Sequence, residues 1–333
     1  MNRKFSIAIA LGLAALCLAA TGRASPVNND IIAMFPKNAG EFAYANLQQA
    51  RQYSWFPQLK EEMLPARFKQ FEQFLSGAGV DPNTQVQELV WALIPNMPAN
   101  ATDASVPTSE EVVGIALGQF QPDSSEAYFN SKKITAVKVR GFSLYPFGSG
   151  TGAGDLFFCF IDSNTAAFGQ RRELEHLIAV RYGEEQGIMS NTELAPLINE
   201  ANGSGVVWAV LNPAYTRLAM QQLAPGAVQF PQAAQLLSTL KSMIVSFEIG
   251  SGVSAHFQAV CATPDAANTL AALLQAGLMY QKYQAQTTNP DLAQMLDQTT
   301  VTPSGDRLDL RLNLTDDQMV SLIRRNTFAM PSH

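Results

Sequence analysis

The stretch PFGSGTGAGDLFFCF, from Pro146 to Phe160, places glycine at every second position from Gly148 to Gly154. Backbone amides without flanking side chains are how many proteins cradle phosphate, so the loop first raises nucleotide chemistry. The residues after it argue otherwise. A dinucleotide loop opens a helix, whereas Gly154 leads into Asp155 to Ile161, which has strand chemistry and no helical period. No Lys-Ser or Lys-Thr pair comes next to hold a triphosphate. The stretch is expected to join two strand-like runs, TAVKVRGFSLYPF and DLFFCFIDS, and no cofactor site is assigned to it.

Histidine chemistry is limited by count. His333 is terminal, His176 lies in the charged run QRRELEHLIAVRYG, and His256 stands on the polar side of a strand. Both internal histidines are read as solvated or hydrogen-bonded surface groups. A Ser-His-Asp triad could use His256 with distant partners, but no Gly-x-Ser-x-Gly elbow accompanies it. Metal ligands are not spaced together anywhere. Acidic pairs occur at Glu61-Glu62, Glu110-Glu111, Glu184-Glu185 and Asp316-Asp317. Sequence neighbours point in different directions, so these pairs are read as solvated surface; two-carboxylate catalysis needs the groups across a cleft. The sequence assigns no catalytic residue, no cofactor and no metal site.

The elements that carry these residues are clearer. In LFFCFI, Phe157 and Cys159 alternate with Leu156, Phe158 and Phe160, so both faces of the strand are apolar. With Phe142, Tyr145, Phe147 and Phe168 they form the densest aromatic region. That predicts a central strand buried on both sides, or an apolar groove against one of them. In GVSAHFQAVCA, Val253, Ala255, Phe257, Ala259 and Cys261 point one way and Ser254, His256 and Gln258 the other. One face there is suited to a closely approaching helix, the other to water or a partner.

The chain begins MNRKFSIAIALGLAALCLAATGRASP, with Arg3 and Lys4, an apolar run from Phe5 to Ala20, and small residues before Pro26. This is the layout of an export signal, spanning residues 1–24 if cleavage follows Ala24, with Ala20 as the alternative. The run is shorter than the roughly 18 to 20 residues of a spanning helix, which sets it against an uncleaved anchor. Three of the 22 basic residues fall in that segment, leaving 19 against 28 acidic ones and a charge near −9. Such a chain, lacking basic clusters, is not expected to bind nucleic acid or anionic membranes. No later run reaches spanning length, so the mature protein is expected to be exported, periplasmic or extracellular. Cys159 and Cys261 cannot form a disulfide framework; both lie in apolar strands, where a free buried thiol competes with a single bridge.

Along the chain one plan is used twice. In 25–203 a strand EFAYANL leads to a helical region from Phe56 to Leu75, split at Pro57 and Pro65. The strands VQELVWALI and EVVGIALGQF follow, joined by a polar stretch read as a mobile hairpin tip, then a helix near Asp123 to Lys133, two strand runs, and a helix from Gln170 to Tyr182. In 204–333 the order recurs. The strand GVVWAVL precedes a helical region from Pro213 to Leu240, broken at Pro225-Gly226 and Pro231, and then the hairpin SMIVSFEIG/GVSAHFQAVCA. A long helix from Pro264 to Gln286, a turn or two at DLAQMLDQ, the hairpin TVTPSGDRLDLRLNL and a helix capped by Thr315 complete it. Tyr44-Ala45-Asn46-Leu47 echoes Trp208-Ala209-Val210-Leu211, and Gln121-Pro122-Asp123 echoes Thr263-Pro264-Asp265. The expected fold is α+β: a duplicated split β-α-β-β-α-β-like unit, mostly antiparallel, with helices over one face.

The runs GVDPNTQVQELVWAL, FIDSNTAAFGQRRELEHLIAVRYG and SNTELAPLI resemble segments of uncharacterised secreted bacterial proteins that carry this doubled layout. The resemblance implies an envelope location and an α+β duplication, and no activity or site. The expected function is a non-enzymatic exported protein that binds an envelope component or itself. The alternatives are a carrier of an apolar small molecule and a hydrolase with a scattered site. A polar sheet face favours the first, and an apolar cavity of about 300 Å³ or more the second.

Overall fold

The computed structural model describes residues 26–64, 66–98, 107–152, 154–223, 237–249, 252–288 and 290–324. The expected export signal, residues 99–106 of the polar stretch 96–110 expected as a hairpin tip, and Pro225, Gly226 and Pro231 lie outside them. Helix α1 (Asn29–Ile32) precedes strand β1 (Glu41–Asn46), a turn of helix α2 (Leu47–Ala50), and helices α3 (Phe56–Met63) and α4 (Ala66–Gly77). Then come β2 (Val86–Asn96), β3 (Ser109–Gly118), α5 (Pro122–Ser131), β4 (Val137–Val139), β5 (Phe142–Phe147), β6 (Leu156–Phe160), β7 (Thr165–Gln170), α6 (Arg171–Arg181) and α7 (Leu194–Ala201). The second half holds β8 (Val207–Leu211), α8 (Pro213–Leu223), β9 (Leu240–Ile249), β10 (Val253–Cys261), α9 (Pro264–Thr288), α10 (Pro290–Asp297), β11 (Thr300–Ser304), β12 (Arg307–Leu314) and α11 (Asp316–Arg324).

All twelve strands join one sheet in the order β11-β12-β10-β9-β8-β1-β2-β3-β7-β6-β5-β4. Every neighbouring pair is antiparallel. The duplication is visible as geometry. Outward from the central β1–β8 pair the strands appear in matching order, β1-β2-β3-β7-β6 one way and β8-β9-β10-β12-β11 the other, with β5 and β4 added to the first side. Tyr44 stands directly opposite Trp208, its echo in the sequence, with ring centroids 5.9 Å apart. The matched Pro-Asp starts open α5 and α9, whose buried Phe129 and Ala267 both join the core on the same side of the sheet.

That front face carries Ala43, Trp91, Ala209, Val245 and Ala259 beneath α3, α4, α5, α8, α9 and α11. Helices over one face describe the outer strands of the second half, β10, β12 and β11, whereas Trp208, Val210 and Ile244 on the back of β8 and β9 pack under α7. In the first half the back face is covered as well: Phe42, Tyr44, Ile115 and Phe157 pack under α1, α6 and α7. The reason is the alternation itself, since β1, β3 and β6 are apolar at both odd and even positions and cannot leave either side in water. The closing helices thus part company. Leu174, Leu177 and Ile178 of α6 bury on the back, whereas Met319 and Ile323 of α11 bury on the front.

Two local expectations are corrected. TAVKVRGFSLYPF is a hairpin, β4 and β5, turned at Arg140 and Gly141 with φ of 46° and 90°. Positive φ at both central residues is what a tight hairpin turn needs. The run TAAFGQ, given no strand of its own between DLFFCFIDS and the helix expected from Gln170, is β7, inserted between β3 and β6. Its small residues hid it, yet Gly169 is required there: an added Cβ would lie 2.4 Å from the Val112 carbonyl oxygen of β3. At the chain's other end α11 is closed by a capping box. Thr315 Oγ1 accepts from the Gln318 backbone N–H (3.2 Å) and Gln318 Oε1 accepts from the Thr315 N–H (2.8 Å).

Candidate functional site

The glycine loop holds an anion, and the anion is its own. Asp155 Oδ2 accepts from the Gly152 N–H (3.1 Å) and the Ser149 hydroxyl (2.8 Å). The Ser149 hydroxyl, followed by the loop amides, holds its pKa below the usual carboxylate range. Cβ atoms at Gly148 and Gly152 would lie 2.7 and 3.0 Å from that carboxylate, so the glycines make room for Asp155. The loop is the β5–β6 connection expected from the sequence.

The two cysteines are free and buried, Cys159 on the back of the sheet and Cys261 on the front. His176 Nδ1 lies 2.7 Å from Glu185 Oε2 at the surface, and their pair borders an open cleft of about 530 Å³ with Lys37 and Asn191. Among the described residues no group of three ligating side chains could hold a metal ion.

His256 is better placed. Its Nε2 lies 2.7 Å from Asp309 Oδ1, and Gln258 Nε2 donates to the same oxygen at 3.2 Å. Arg307 Nη1 donates to Gln258 Oε1, and Arg307 forms a two-pronged pair with Glu200 at the end of α7. Ser254 Oγ donates to Asn313 Oδ1 at 2.8 Å. Except for Glu200 of α7, these groups project from β10 and β12 on the back face, and the end of α7 reaches them through the Glu200–Arg307 pair. Ser246 sits across from His256 on β9, so serine, histidine and aspartate do share one face. The chemistry of acyl transfer still lacks a part. Residues around Ser246 and His256 are paired along continuous β8–β9 and β9–β10 ladders, which occupy the amides that an oxyanion would need. What this face can do is exchange hydrogen bonds and charge with another polar surface.

The front face of the first half holds an apolar cavity of about 110 Å³ between the sheet and α3 and α4. Phe68, Phe71, Trp91, Phe120, Phe158 and Phe168 are among its walls. Lys60 and Glu72 form an ion pair of 2.6 Å beside it, with exposures of 16% and 25%. Of the aromatic cluster expected at such a groove, Phe158 and Phe168 reach it. Phe157 and Cys159 pack on the back instead, so β6 is buried on both sides as expected.

Next to the cavity, and sharing Trp91, lies a feature that sequence reasoning missed. Glu41 opens β1 between Leu93 and Leu211, is wholly buried, and has neither oxygen hydrogen-bonded among the described residues. Burial holds its pKa well above the usual range; the Glu110 charge adds to this and the Trp91 indole opposes it. Glu110 is raised to about 7 by burial, against an opposing pull from the Tyr215 hydroxyl, and Tyr215 is itself raised by burial. The Glu110-Glu111 pair is therefore split by the strand. Glu111 meets Arg172 at 3.2 Å on the back, while Glu110 faces the interior, contrary to the solvated surface expected of it. The one available signal was Glu41, a carboxylate at the head of an otherwise apolar strand.

No protein-family model and no curated protein matches the sequence. Among solved structures, crystal forms of the Treponema protein TP0453 are similar in layout. Form I is 12% identical, covers 93% of this chain and 100% of that chain, and has a TM-score of 0.48. Form III is 9% identical over 88% of this chain and 97% of that one, with a TM-score of 0.48; form IV is 9% identical over 88% and 95%, with 0.47. No helix among the described residues is long and apolar enough to cross a membrane.

Proposed function

We propose that this is an exported, non-enzymatic protein of the bacterial cell envelope that binds another envelope protein through the polar back face of its second half. Residues 1–24 serve as the export signal, and 25–203 and 204–333 are the two repeats. The observation that carries the reading is the network Glu200–Arg307–Gln258–Asp309–His256, which runs from the end of α7 onto the back of β10 and β12. Side chains already bonded to one another offer a partner a fixed pattern of donors and acceptors, which favours specificity over bulk adhesion.

Native mass spectrometry of the protein isolated from its host envelope tests this. A stoichiometric protein partner is expected, lost in the double variant Arg307→Glu, Asp309→Lys; a partner retained by that variant, or a clean monomer, overturns the reading. A second reading, a carrier of an apolar molecule, is favoured by the cavity and by the Glu41 carboxyl near Trp91, whose pKa burial raises. At about 110 Å³ the cavity is smaller than the roughly 300 Å³ usual for ligand pockets, so the first reading stands ahead. A retained small-molecule mass in the same spectra would reverse that order.

A further inference from the structure

Helix α9 is apolar on two sides, and the fold uses one. Ala267, Leu270 and Ala271 face the core, yet Leu273, Met279, Tyr280 and Tyr283 are 47%, 71%, 60% and 75% exposed. They are four of the seven large hydrophobic residues exposed among those described, gathered within eleven positions of one helix. Scattered single exposures are ordinary; a gathered set marks a contact surface.

The spacing of the exposed side is more specific. Thr269, Leu273, Ala276, Tyr280, Tyr283 and Thr287 follow one another at intervals of four, three, four, three and four residues. That alternation is the seam of a helix that pairs with another helix. The seam has a small end, Thr269 to Ala276, and a large end, Tyr280 and Tyr283. A parallel partner would set tyrosine on tyrosine and leave a gap at the small end. An antiparallel second copy turned about Ala276 sets Leu273 against Tyr280 and Thr269 against Tyr283, in both directions at once, as a two-fold interface requires.

We infer that two copies of this chain pair through α9, antiparallel and centred on Ala276. Charge supports a second copy over a lipid surface. A helix that lies on anionic membranes carries Lys and Arg along its flanks; here Lys282 is the one basic residue of α9, and it is paired with Asp297. Area supports it too. Four side chains of this size and exposure offer on the order of 500 Å² per copy, and flanking Gln and Ala extend that toward the roughly 800 Å² per partner of a standard interface. The site is separate from the polar back face, so either can fail without the other.

Sedimentation equilibrium of the full-length mature protein at 1 to 100 µM tests the pairing, and a dimer is expected. Tyr280→Glu with Tyr283→Glu should weaken it at least a hundredfold while leaving the circular dichroism spectrum and envelope-partner capture unchanged. Ala276→Cys, next to the two-fold axis, should cross-link to its own copy under mild oxidation, and Ala272→Cys much less. A monomer at 100 µM, a dimer indifferent to the tyrosine changes, or tyrosine-dependent flotation of a monomer with zwitterionic or anionic vesicles would each overturn the proposal.

Discussion

Strands β6 and β10 sit on opposite halves of one sheet and differ in what their alternation leaves over. In β6 both sets of side chains are apolar, Phe157 and Cys159 behind, Leu156 and Phe158 in front, and the chain supplies a helical layer for each side. In β10 Ala255, Phe257, Ala259 and their neighbours are apolar in front, while the back carries Ser254, His256 and Gln258, with Val260 at the strand's end joining the back core. The lesson is that a duplicated plan need not give duplicated faces. The second layer forms where apolar side chains demand it, and where they are absent the same sheet carries polar side chains instead.

The largest test of that contrast is Phe157→Ala. Removing a ring 2% exposed from the back core should lower unfolding free energy by about 3–5 kcal/mol in chemical denaturation. A smaller, pH-dependent effect belongs to Glu110. Its folded pKa of about 7 exceeds the ordinary 4.5, so the native state holds the proton more tightly. Stability is greatest below pH 4.5, falls as pH rises to 7, and is flat above it. Glu110→Gln should remove the Glu110 part of that slope, leaving the part due to Glu41, and raise stability at pH 8, by at most about 3 kcal/mol and less for a partly exposed group. Melting curves between pH 4 and 8 that run parallel for both proteins would refute the burial of that carboxylate. Smallest is His256→Ala, which removes a surface hydrogen bond to Asp309 and should change stability by less than about 1 kcal/mol. A loss comparable with that of Phe157→Ala would mean that the back face of the second half is not open, and the contrast would collapse.

Much of this architecture is legible in local patterns. The apolar strand-like runs of β1, β2, β3 and β9, the alternation of β10, the Pro-Asp starts of α5 and α9 and the Thr315 cap depend on neighbours a few residues away, and they fall where the sequence places them. The glycine loop was equally legible, because the run after Gly154 has the chemistry of a strand and none of a helix. The misses share a cause. β7 has Thr165, Ala166 and Ala167 where a strand usually declares itself with branched residues; it is a strand because β3 and β6 grip it from both sides.

The candidate site was less legible than the fold. Glu41 and Glu110 lie far apart in sequence and on strands separated by β2, and nothing local says that Tyr215, from α8, will come beside them. Its ring packs so closely on Gly40 that an added Cβ there would lie 2.2 Å from Cε2. By itself the sequence determined element types, the doubled order and the lack of a familiar catalytic motif, since these follow from periodicity and from residue chemistry at short range. Only the tertiary structure decided which face each helix covers, which carboxylates lose their solvent and which polar strand side stays open, because those outcomes depend on contacts between segments far apart in the chain.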